Sequence, residues 1–350
     1  MCGIAGYVGD RESADVLVDA LSKLEYRGYD SAGIAVFDHG NIKVKKCKGR
    51  LANLVEKMDE EGKPQGHVGI GHTRWATHGE PSDINSHPHG NKRVTIVHNG
   101  IIENYKKLKD FLVGEGYSFA SETDTEVAAK LLDYYYDGDP MKTIAKVLSE
   151  IKGSYALGIM FRDFPDEIFA VRKDSPLIVG VGEHENFIAS DVPAILKYTR
   201  NVYYIGNMEI GRLADGNITF YNLDGDEIEK ELVEIKWDAE AAEKGGYEHF
   251  MMKEIHEQPK AIADTLNSVL KDGKLDLSAV ELSDEEIKKI SQIYIVACGS
   301  AYHVGVVAQY VMEDLAKIPV RVELASEFRY RKPLLDPDGL VIVISPVSYT

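Results

Sequence analysis

The sequence predicts two mixed α/β domains: a first in which β-sheets pack on each other under a cover of helices, and a second built on a parallel sheet. The length of 350 residues leaves room for two domains of about 100–200 residues each. Hydrophobic residues make up 44% of the chain, which is enough to bury a core in each domain. The order of strand-like and helix-like segments then distinguishes the two domains.

Short β-branched runs separated by Gly, Asp and Asn dominate the first region, residues 2–235. Helical patterns interrupt them at residues 14–24 and 125–136. Strands in series with few helices favour sheets that pack against each other and are covered by helices. The predicted strands are residues 4–8, 33–37, 94–98, 155–161, 167–171 and 177–181.

A charged segment that contains Gly-Gly, residues 236–247, is the predicted linker to a second domain at residues 248–350. In that domain helical patterns alternate with short apolar runs. This alternation predicts a parallel α/β sheet, which binds ligands at the carboxyl ends of its strands. The helical patterns cover residues 248–270, 283–291 and 302–316, and the apolar runs cover 293–297, 320–324 and 340–345.

Composition excludes several classes of function. A formal net charge of -17 gives no electrostatic footprint for nucleic acid or for an anionic membrane surface. The chain has no run of about 20 apolar residues and no secretory signal, so we expect a cytoplasmic protein without a membrane segment. No cysteine or histidine group has zinc-site spacing, so we expect no metal and interpret His87, His89 and His98 as hydrogen-bonded structural residues.

The chain opens with Met1-Cys2-Gly3-Ile4. If Met1 is removed, Cys2 carries both a thiol and a free α-amino group, whose reference pKa of about 7.7–8.0 lets it act as the base of the thiol. Nucleophile and base on one residue form the N-terminal variant of an activated nucleophile. Taken alone, a second-position cysteine is more often only a small residue that follows the initiator.

Five further strings occur with this opening: LEYRGYDSAG (24–33), HTRWATHG (72–79), HNGIIEN (98–104), SETDTE (121–126) and FMMKEIHEQP (250–259). Together they resemble the glutamine:fructose-6-phosphate aminotransferase (isomerising) family over nearly the whole chain. The resemblance implies an α+β N-terminal-nucleophile hydrolase fold, a four-layer αββα sandwich, for the glutaminase domain. It implies a partial sugar isomerase (SIS) domain, a flavodoxin-like α/β parallel sheet, for the second.

The resemblance also implies the catalytic residues. Cys2 attacks the side-chain amide of L-glutamine, and the Asn99 side chain and the Gly100 main-chain N–H form the oxyanion hole. Glycine suits this position because it lets the backbone approach a ligand closely. Without the resemblance, Asn99-Gly100 would predict an ordinary hairpin turn after the strand at residues 94–97.

The same resemblance implies a binding pocket for glutamine. Arg74 binds the α-carboxylate and Asp124 the α-ammonium group. Thr77 and His78 line the pocket, and Trp75 is the gate between the glutamine site and the sugar site. In isolation, Arg74 would be a surface ion-pair partner, Trp75 a core residue, and Asp124 the N-cap of the helix at residues 125–136.

Ser300 and Ser345 are the sugar-phosphate-binding residues that the resemblance implies for the second domain. Ser300 follows a predicted strand and opens a helix, where backbone N–H groups bind anions. The chain departs from the family at Ala301, where the family has a second hydroxyl, and at Pro346 and Ser348. Because Pro346 has no N–H to donate, these departures argue against a complete phosphate cradle.

The implied reaction takes L-glutamine and fructose 6-phosphate to glucosamine 6-phosphate and L-glutamate. No cofactor is implied, and the full-length family members are expected to be homodimers. Because those members continue beyond residue 350, we expect this chain to carry the glutamine-hydrolysing half and not to complete the synthase reaction alone. A phosphoribosyl pyrophosphate or asparagine-forming amidotransferase is disfavoured because the second region lacks their motifs, and a sugar-phosphate-binding regulatory module without turnover is the alternative.

Overall fold

The structure is a computed structural model that describes residues 2–75, 79–91, 93–236, 247–271, 274–275 and 282–344. The chain divides into two compact units, Met1–Phe250 and Met251–Thr350. Most of the predicted linker, residues 236–247, lies outside the described residues. No helix within the described ranges is both long and apolar enough to cross a membrane.

The strands of the first unit are β1 Gly3–Gly9, β2 Ser31–Asp38, β3 Asn41–Lys48, β4 Val68–Arg74, β5 His89–Gly90, β6 Val94–Ile102, β7 Gly153–Phe161, β8 Glu167–Lys173, β9 Ile178–Val181, β10 Glu185–Ala189, β11 Asn201–Tyr204, β12 Ile210–Ala214, β13 Asn217–Tyr221, β14 Glu227–Ile228 and β15 Val233–Glu234. Its helices are α1 Ser13–Ser22, α2 Leu51–Glu61, α3 Tyr105–Gly114, α4 Asp124–Tyr135 and α5 Pro140–Glu150, with short 3-10 turns at Glu25–Arg27 and Val192–Ala194.

These strands form two sheets. In the described residues the first sheet has eight strands in the order β15-β11-β9-β10-β1-β4-β2-β3, and the second has seven in the order β14-β13-β12-β8-β7-β6-β5. The pairings between neighbouring strands in both sheets are antiparallel. The long antiparallel ladders follow from the β-branched runs that the sequence analysis identified.

Three buried clusters show how the layers stack. Successive side chains of a strand point to opposite faces, so Tyr7 of β1 packs in the cluster that α1 and α2 complete, while Val8 packs in the cluster between the sheets. The second sheet contributes Ile159 to a third cluster with α3, α4 and α5. The order is therefore helices, sheet, sheet, helices, which confirms the predicted sandwich.

The second unit contains α6 Phe250–Val269, β16 Leu270–Lys271, β17 Lys274–Leu275, α7 Asp284–Lys289, β18 Gln292–Ala297, α8 Gly299–Ala316, β19 Val320–Leu324, α9 Ala325–Tyr330 and β20 Gly339–Ile344. Strands β19, β18 and β20 form a parallel sheet in that order. Helix α8 packs on it through Ala308 and Met312, next to the buried Ile295. The predicted parallel α/β sheet is thus confirmed for the described residues.

Two local interpretations considered in the sequence analysis are wrong. Asn99 and Gly100 do not form a turn: both lie inside β6, opposite Ala156 and Tyr155 of β7, because the β-branched pattern and its ladder continue to Ile102. Asp124 is not the N-cap of α4. The cap is Thr123, whose hydroxyl accepts a hydrogen bond from the Glu126 main-chain N–H at 3.3 Å.

Candidate active site

The Cys2 thiol lies against the main chain of Trp75. Its Sγ accepts a hydrogen bond from the Trp75 N–H at 3.2 Å and lies 3.5 Å from the Trp75 carbonyl oxygen. Burial raises the pKa of the Cys2 thiol, and the hydrogen bond from Trp75 opposes that rise only in part. A thiol that stays protonated near neutral pH needs a base before it can attack.

Asn99 and Gly100 lie on the second sheet and approach Cys2 from that side. The Asn99 side-chain Nδ2 donates to the Cys2 main-chain oxygen at 3.1 Å. Gly100 has a φ of 113°, and a Cβ added there would lie 2.1 Å from the main-chain oxygen of Ser154. Only glycine fits at this position of β6. The absence of a side chain leaves the Gly100 backbone directly at the wall of the site.

These groups line a cavity of about 320 Å³, a volume in the range of small-molecule sites. It lies in the first unit, between the end of β4, the second half of β6 and the start of α4. The predicted site residues that line it are Cys2, Arg74, Trp75, Asn99, Gly100 and Asp124.

Arg74 and Asp124 supply opposite charges to the cavity wall. Arg74 ends β4, is 4% exposed, and donates from Nη2 to the Gly79 main-chain oxygen at 2.9 Å. Asp124 opens α4, is also 4% exposed, and accepts through Oδ2 from the Ile102 main-chain N–H at 2.8 Å. A buried cation and a buried anion on one cavity match the two charged ends of a free amino acid.

Trp75 follows β4, and its side chain is 47% exposed. Its ring meets the Tyr29 ring edge-on, with ring centroids 5.2 Å apart. Its main chain meanwhile contacts the Cys2 thiol, so one residue links the thiol to an exposed aromatic surface. The other two predicted pocket residues, Thr77 and His78, lie outside the described residues.

A polar network beneath the cavity was not predicted. The Glu126 carboxylate accepts hydrogen bonds from the Ala120 and Ser121 main-chain N–H groups at 3.0 and 2.6 Å and from the Ser121 hydroxyl at 2.7 Å. It thereby holds the turn that leads into Asp124. The signal was present: Thr123 followed three residues later by Glu126 is a capping-box spacing.

The neighbouring histidines lie in the same network. Thr125 Oγ1 lies 3.2 Å from His87 Nε2 and 2.8 Å from His98 Nδ1, and Thr123 Oγ1 lies 3.1 Å from His89 Nε2. Burial lowers the pKa of His89 to about 3, so this side chain is neutral at pH 7. No group of three or more potential metal ligands occurs among the residues that the structure describes.

The cavity wall also contains residues for which the sequence offered no signal. Ser175 and Pro176 follow β8 and line the cavity, and the Ser175 hydroxyl lies 3.0 Å from where a Cβ on Gly100 would be. Ser175 is in turn 2.9 Å from the Ser154 hydroxyl, measured between the two oxygens. Part of the wall beside Gly100 therefore comes from a loop that no motif marked.

The predicted phosphate-binding residues belong to the second unit. Ser300 is exposed in the first turn of α8, directly after the sheet strand β18, and Cys298 is the N-cap. Ser345 lies outside the described residues. Both assignments stay predictions.

Comparisons with known proteins agree with this architecture. Residues 72–197 match the family model described as glutamine amidotransferase domain, and residues 286–350 match the model described as SIS domain. The chain is 57% identical to a glutamine–fructose-6-phosphate aminotransferase [isomerizing] of Caldanaerobacter subterraneus and 58% identical to one of Clostridium acetobutylicum. Each alignment covers 100% of this chain but 58% of the relative, so the chain spans little more than half the length of these relatives.

Solved structures give the same fold. The glutamine phosphoribosylpyrophosphate amidotransferase from B. subtilis superposes with a TM-score of 0.59 at 19% identity, over 92% of this chain and 65% of that one. An allosteric regulatory enzyme of purine biosynthesis superposes with a TM-score of 0.57 at 26% identity, over 63% of this chain and 49% of that one. These likenesses confirm the predicted fold of N-terminal-nucleophile amidotransferases.

Proposed function

We propose that this chain is the glutamine-hydrolysing part of a glutamine–fructose-6-phosphate aminotransferase, because residues 72–197 match the glutamine amidotransferase model and residues 286–350 match the SIS model. One observation carries the proposal: a cysteine thiol, an asparagine amide and two opposite charges line a single cavity. The names of the close relatives support the same reaction.

In the proposed mechanism, removal of Met1 frees the α-amino group of Cys2 to accept the thiol proton. The sulfur then bonds to the side-chain carbonyl carbon of glutamine. Asn99 Nδ2–H and the Gly100 N–H stabilise the oxyanion that forms, and the same proton passes to the departing nitrogen, which leaves as ammonia. Water then cleaves the thioester to give glutamate and the free thiol.

Arg74 and Asp124 recognise the amino-acid end of glutamine in this proposal. The planar guanidinium of Arg74 binds the α-carboxylate, and the Asp124 carboxylate accepts from the α-ammonium group. Because both side chains are buried, each loses hydration that the ligand replaces, so a substrate without either charge is disfavoured. We place Thr77 and His78 in the same pocket on the basis of the sequence.

Fructose 6-phosphate is the proposed acceptor, with Ser300 and Ser345 in its phosphate site, and Trp75 is the proposed gate for ammonia. Excluding water along that route keeps ammonia unprotonated and available for transfer. We place the protein in the cytoplasm as part of a homodimer, with no nucleic-acid partner.

Release of glutamate from L-glutamine by the purified chain tests the proposal. Mass spectrometry first confirms that Met1 has been removed. We expect turnover in the wild type and in Cys47→Ala, which alters a cysteine on β3 outside the cavity, and no turnover in Cys2→Ala. Stimulation by fructose 6-phosphate would show that the second unit binds sugar phosphate, whereas sugar-phosphate binding with no turnover in any form would identify a regulatory module instead.

A further inference from the structure

His72 lies on β4 and is completely buried beneath the cavity. Its Nε2 is 3.0 Å from Asn99 Oδ1 and 3.0 Å from the His98 main-chain oxygen. On its other side the same Asn99 amide donates through Nδ2 to the Cys2 main-chain oxygen at 3.1 Å. The Asn99 side chain is thus held between a histidine of the first sheet and the residue proposed as the nucleophile.

The protonation of His72 follows from these partners. A carbonyl oxygen can only accept, so the Nε2 atom that faces it carries a hydrogen. Burial lowers the pKa of His72 to about 3, and a neutral imidazole has a single N–H. Nδ1 therefore carries no hydrogen, and among the described residues it has no hydrogen-bond partner. His72 is therefore a neutral donor to Asn99 at pH 7.

Such a donor decides which way the Asn99 amide points. The two ends of a side-chain amide have nearly the same shape but opposite hydrogen-bonding character. If the amide of Asn99 turned over, its NH₂ group would face the N–H of His72 and its oxygen would face the carbonyl oxygen of Cys2. Both contacts would be repulsive, and both polar groups would be left unsatisfied in a buried place.

We propose that His72 is a positioning residue for glutamine hydrolysis, whose Nε2–H holds Asn99 with its amide hydrogens directed to the Cys2 side of the cavity. The inference rests on the proposed function, since it assigns Asn99 to the oxyanion hole. A preorganised donor stabilises a developing oxyanion more than one that must turn during the reaction.

The ring plane of His72 is itself fixed by a second histidine. The His87 ring stacks on it, with centroids 4.1 Å apart and an angle of 24° between the planes. His87 Nδ1 accepts from the His98 main-chain N–H at 3.4 Å, and its Nε2 lies 3.2 Å from Thr125 Oγ1. The orientation of the Asn99 amide is therefore connected, through two rings, to the start of α4.

The test compares two amide replacements of similar polarity. His72→Gln places a donor near the position of Nε2, whereas the side chain of His72→Asn is one methylene shorter and does not reach Asn99. We expect His72→Asn to lower kcat for glutamine hydrolysis by about 10- to 100-fold with KM changed less than about threefold. That loss is smaller than the about 100- to 1,000-fold cost of removing an oxyanion-hole donor outright. His72→Gln should recover most of the loss.

A double-mutant cycle checks that the effect passes through Asn99. In an Asn99→Ala background, His72→Asn should change kcat by less than about twofold, because there is no amide left to position. Thermal unfolding of each variant accompanies the kinetics. A merely structural role predicts that loss of kcat follows loss of stability and persists in the Asn99→Ala background.

The outcomes separate the two proposals. Absence of glutamine turnover in the wild type would contradict both the proposed function and the role of His72. Turnover in the wild type together with equal kcat in His72→Asn and His72→Gln, or with an undiminished effect in the Asn99→Ala background, would overturn the role of His72 alone. A lower kcat in His72→Asn, recovery in His72→Gln and no effect without Asn99 would establish it.

Discussion

The side-chain amide nitrogen of Asn99 lies 3.1 Å from the main-chain oxygen of Cys2, although 97 positions separate the two residues in the sequence. Cys2 leads into β1 of the eight-stranded sheet, and Asn99 lies in β6 of the seven-stranded sheet. The proposed nucleophile and the proposed oxyanion donor are therefore held by different sheets. The chemistry of the site depends on how accurately these sheets pack.

The pH dependence of alkylation tests the state of the Cys2 thiol. Because burial raises the pKa of Cys2, the reactive thiolate is depleted at any given pH below that value. In a Cys47→Ala, Cys298→Ala background, we expect the midpoint of the rise with pH in the rate of reaction with iodoacetamide to lie above the ordinary thiol pKa of about 8.5. The same chain unfolded in urea is the control, and a plateau below pH 8 in the folded protein would contradict the prediction.

Arg74→Lys tests recognition of the α-carboxylate. Lysine keeps the positive charge but loses the planar fork that a carboxylate fits. We expect KM for glutamine to rise by about 10- to 100-fold with kcat within a fewfold of the wild type, because a binding contact present in both ground and transition states is lost. Steady-state glutamate release measures both constants.

The matched control for that prediction is Arg212→Lys. Arg212 is paired with Glu167 at 2.6 and 2.8 Å and is not on the cavity wall. KM should stay unchanged in this variant. If the KM of Arg74→Lys is as low as that of the control, Arg74 does not bind the α-carboxylate of glutamine.

Gly100→Ala tests the close approach of β6 to the site. The added Cβ would lie 2.1 Å from the Ser154 main-chain oxygen, at a φ of 113° that a side chain rarely adopts. Strain of about 1–3 kcal/mol at the dihedral adds to overpacking of about 1–3 kcal/mol. We therefore expect a loss of about 2–6 kcal/mol in the free energy of unfolding, measured with urea.

Gly138→Ala separates the two costs. Gly138 has a similar φ of 107°, but a Cβ there meets nothing within 4 Å. Only the dihedral cost of about 1–3 kcal/mol is expected. An equal loss of unfolding free energy in the two variants would show that the Ser154 carbonyl shifts to accommodate the alanine at position 100.

Glu126→Gln tests the turn that leads into Asp124, and its effect should depend on pH. Burial acts to raise the pKa of Glu126, but hydrogen bonds from Ser121, from the Ala120 main chain and from Lys130 outweigh it and hold the pKa below its ordinary value. A carboxyl with a lowered folded-state pKa contributes stability above its unfolded pKa of about 4.3, and that stability is lost as pH falls through the folded value.

We therefore expect Glu126→Gln to lose about 1.5–3 kcal/mol of unfolding free energy at pH 7, the range for hydrogen bonds to a charged group. The difference from the wild type should shrink below about pH 4. Urea unfolding between pH 3 and 7 measures it, with Glu115→Gln, which alters an exposed side chain, as the control. A difference that stays constant over this range would mean that the charge of Glu126 is not what holds the turn.

The sequence predicted helices α1 and α4 and six strands of the first unit, because side-chain alternation and helical periodicity are local properties, but it missed helices α2, α3 and α5. Its errors were also local. An Asn-Gly pair favours a turn in isolation, but here the ladder with β7 satisfies the backbone of both residues and keeps them in β6. Thr123 and Asp124 are both good caps, and the spacing to Glu126 selects Thr123.

What the sequence by itself determined is the sandwich of sheets and helices, the parallel sheet of the second unit and the resemblance to a known family, since these follow from patterns along the chain. What only the tertiary structure decided is the set of contacts in the site: that the Asn99 amide donates to the Cys2 main chain, and that His72 faces Asn99. His72 opens the string at residues 72–79, but the string gave no sign of its role, because that role depends on a partner in another sheet. The packing of one sheet on the other fixes such distances, and no periodicity along the chain encodes them.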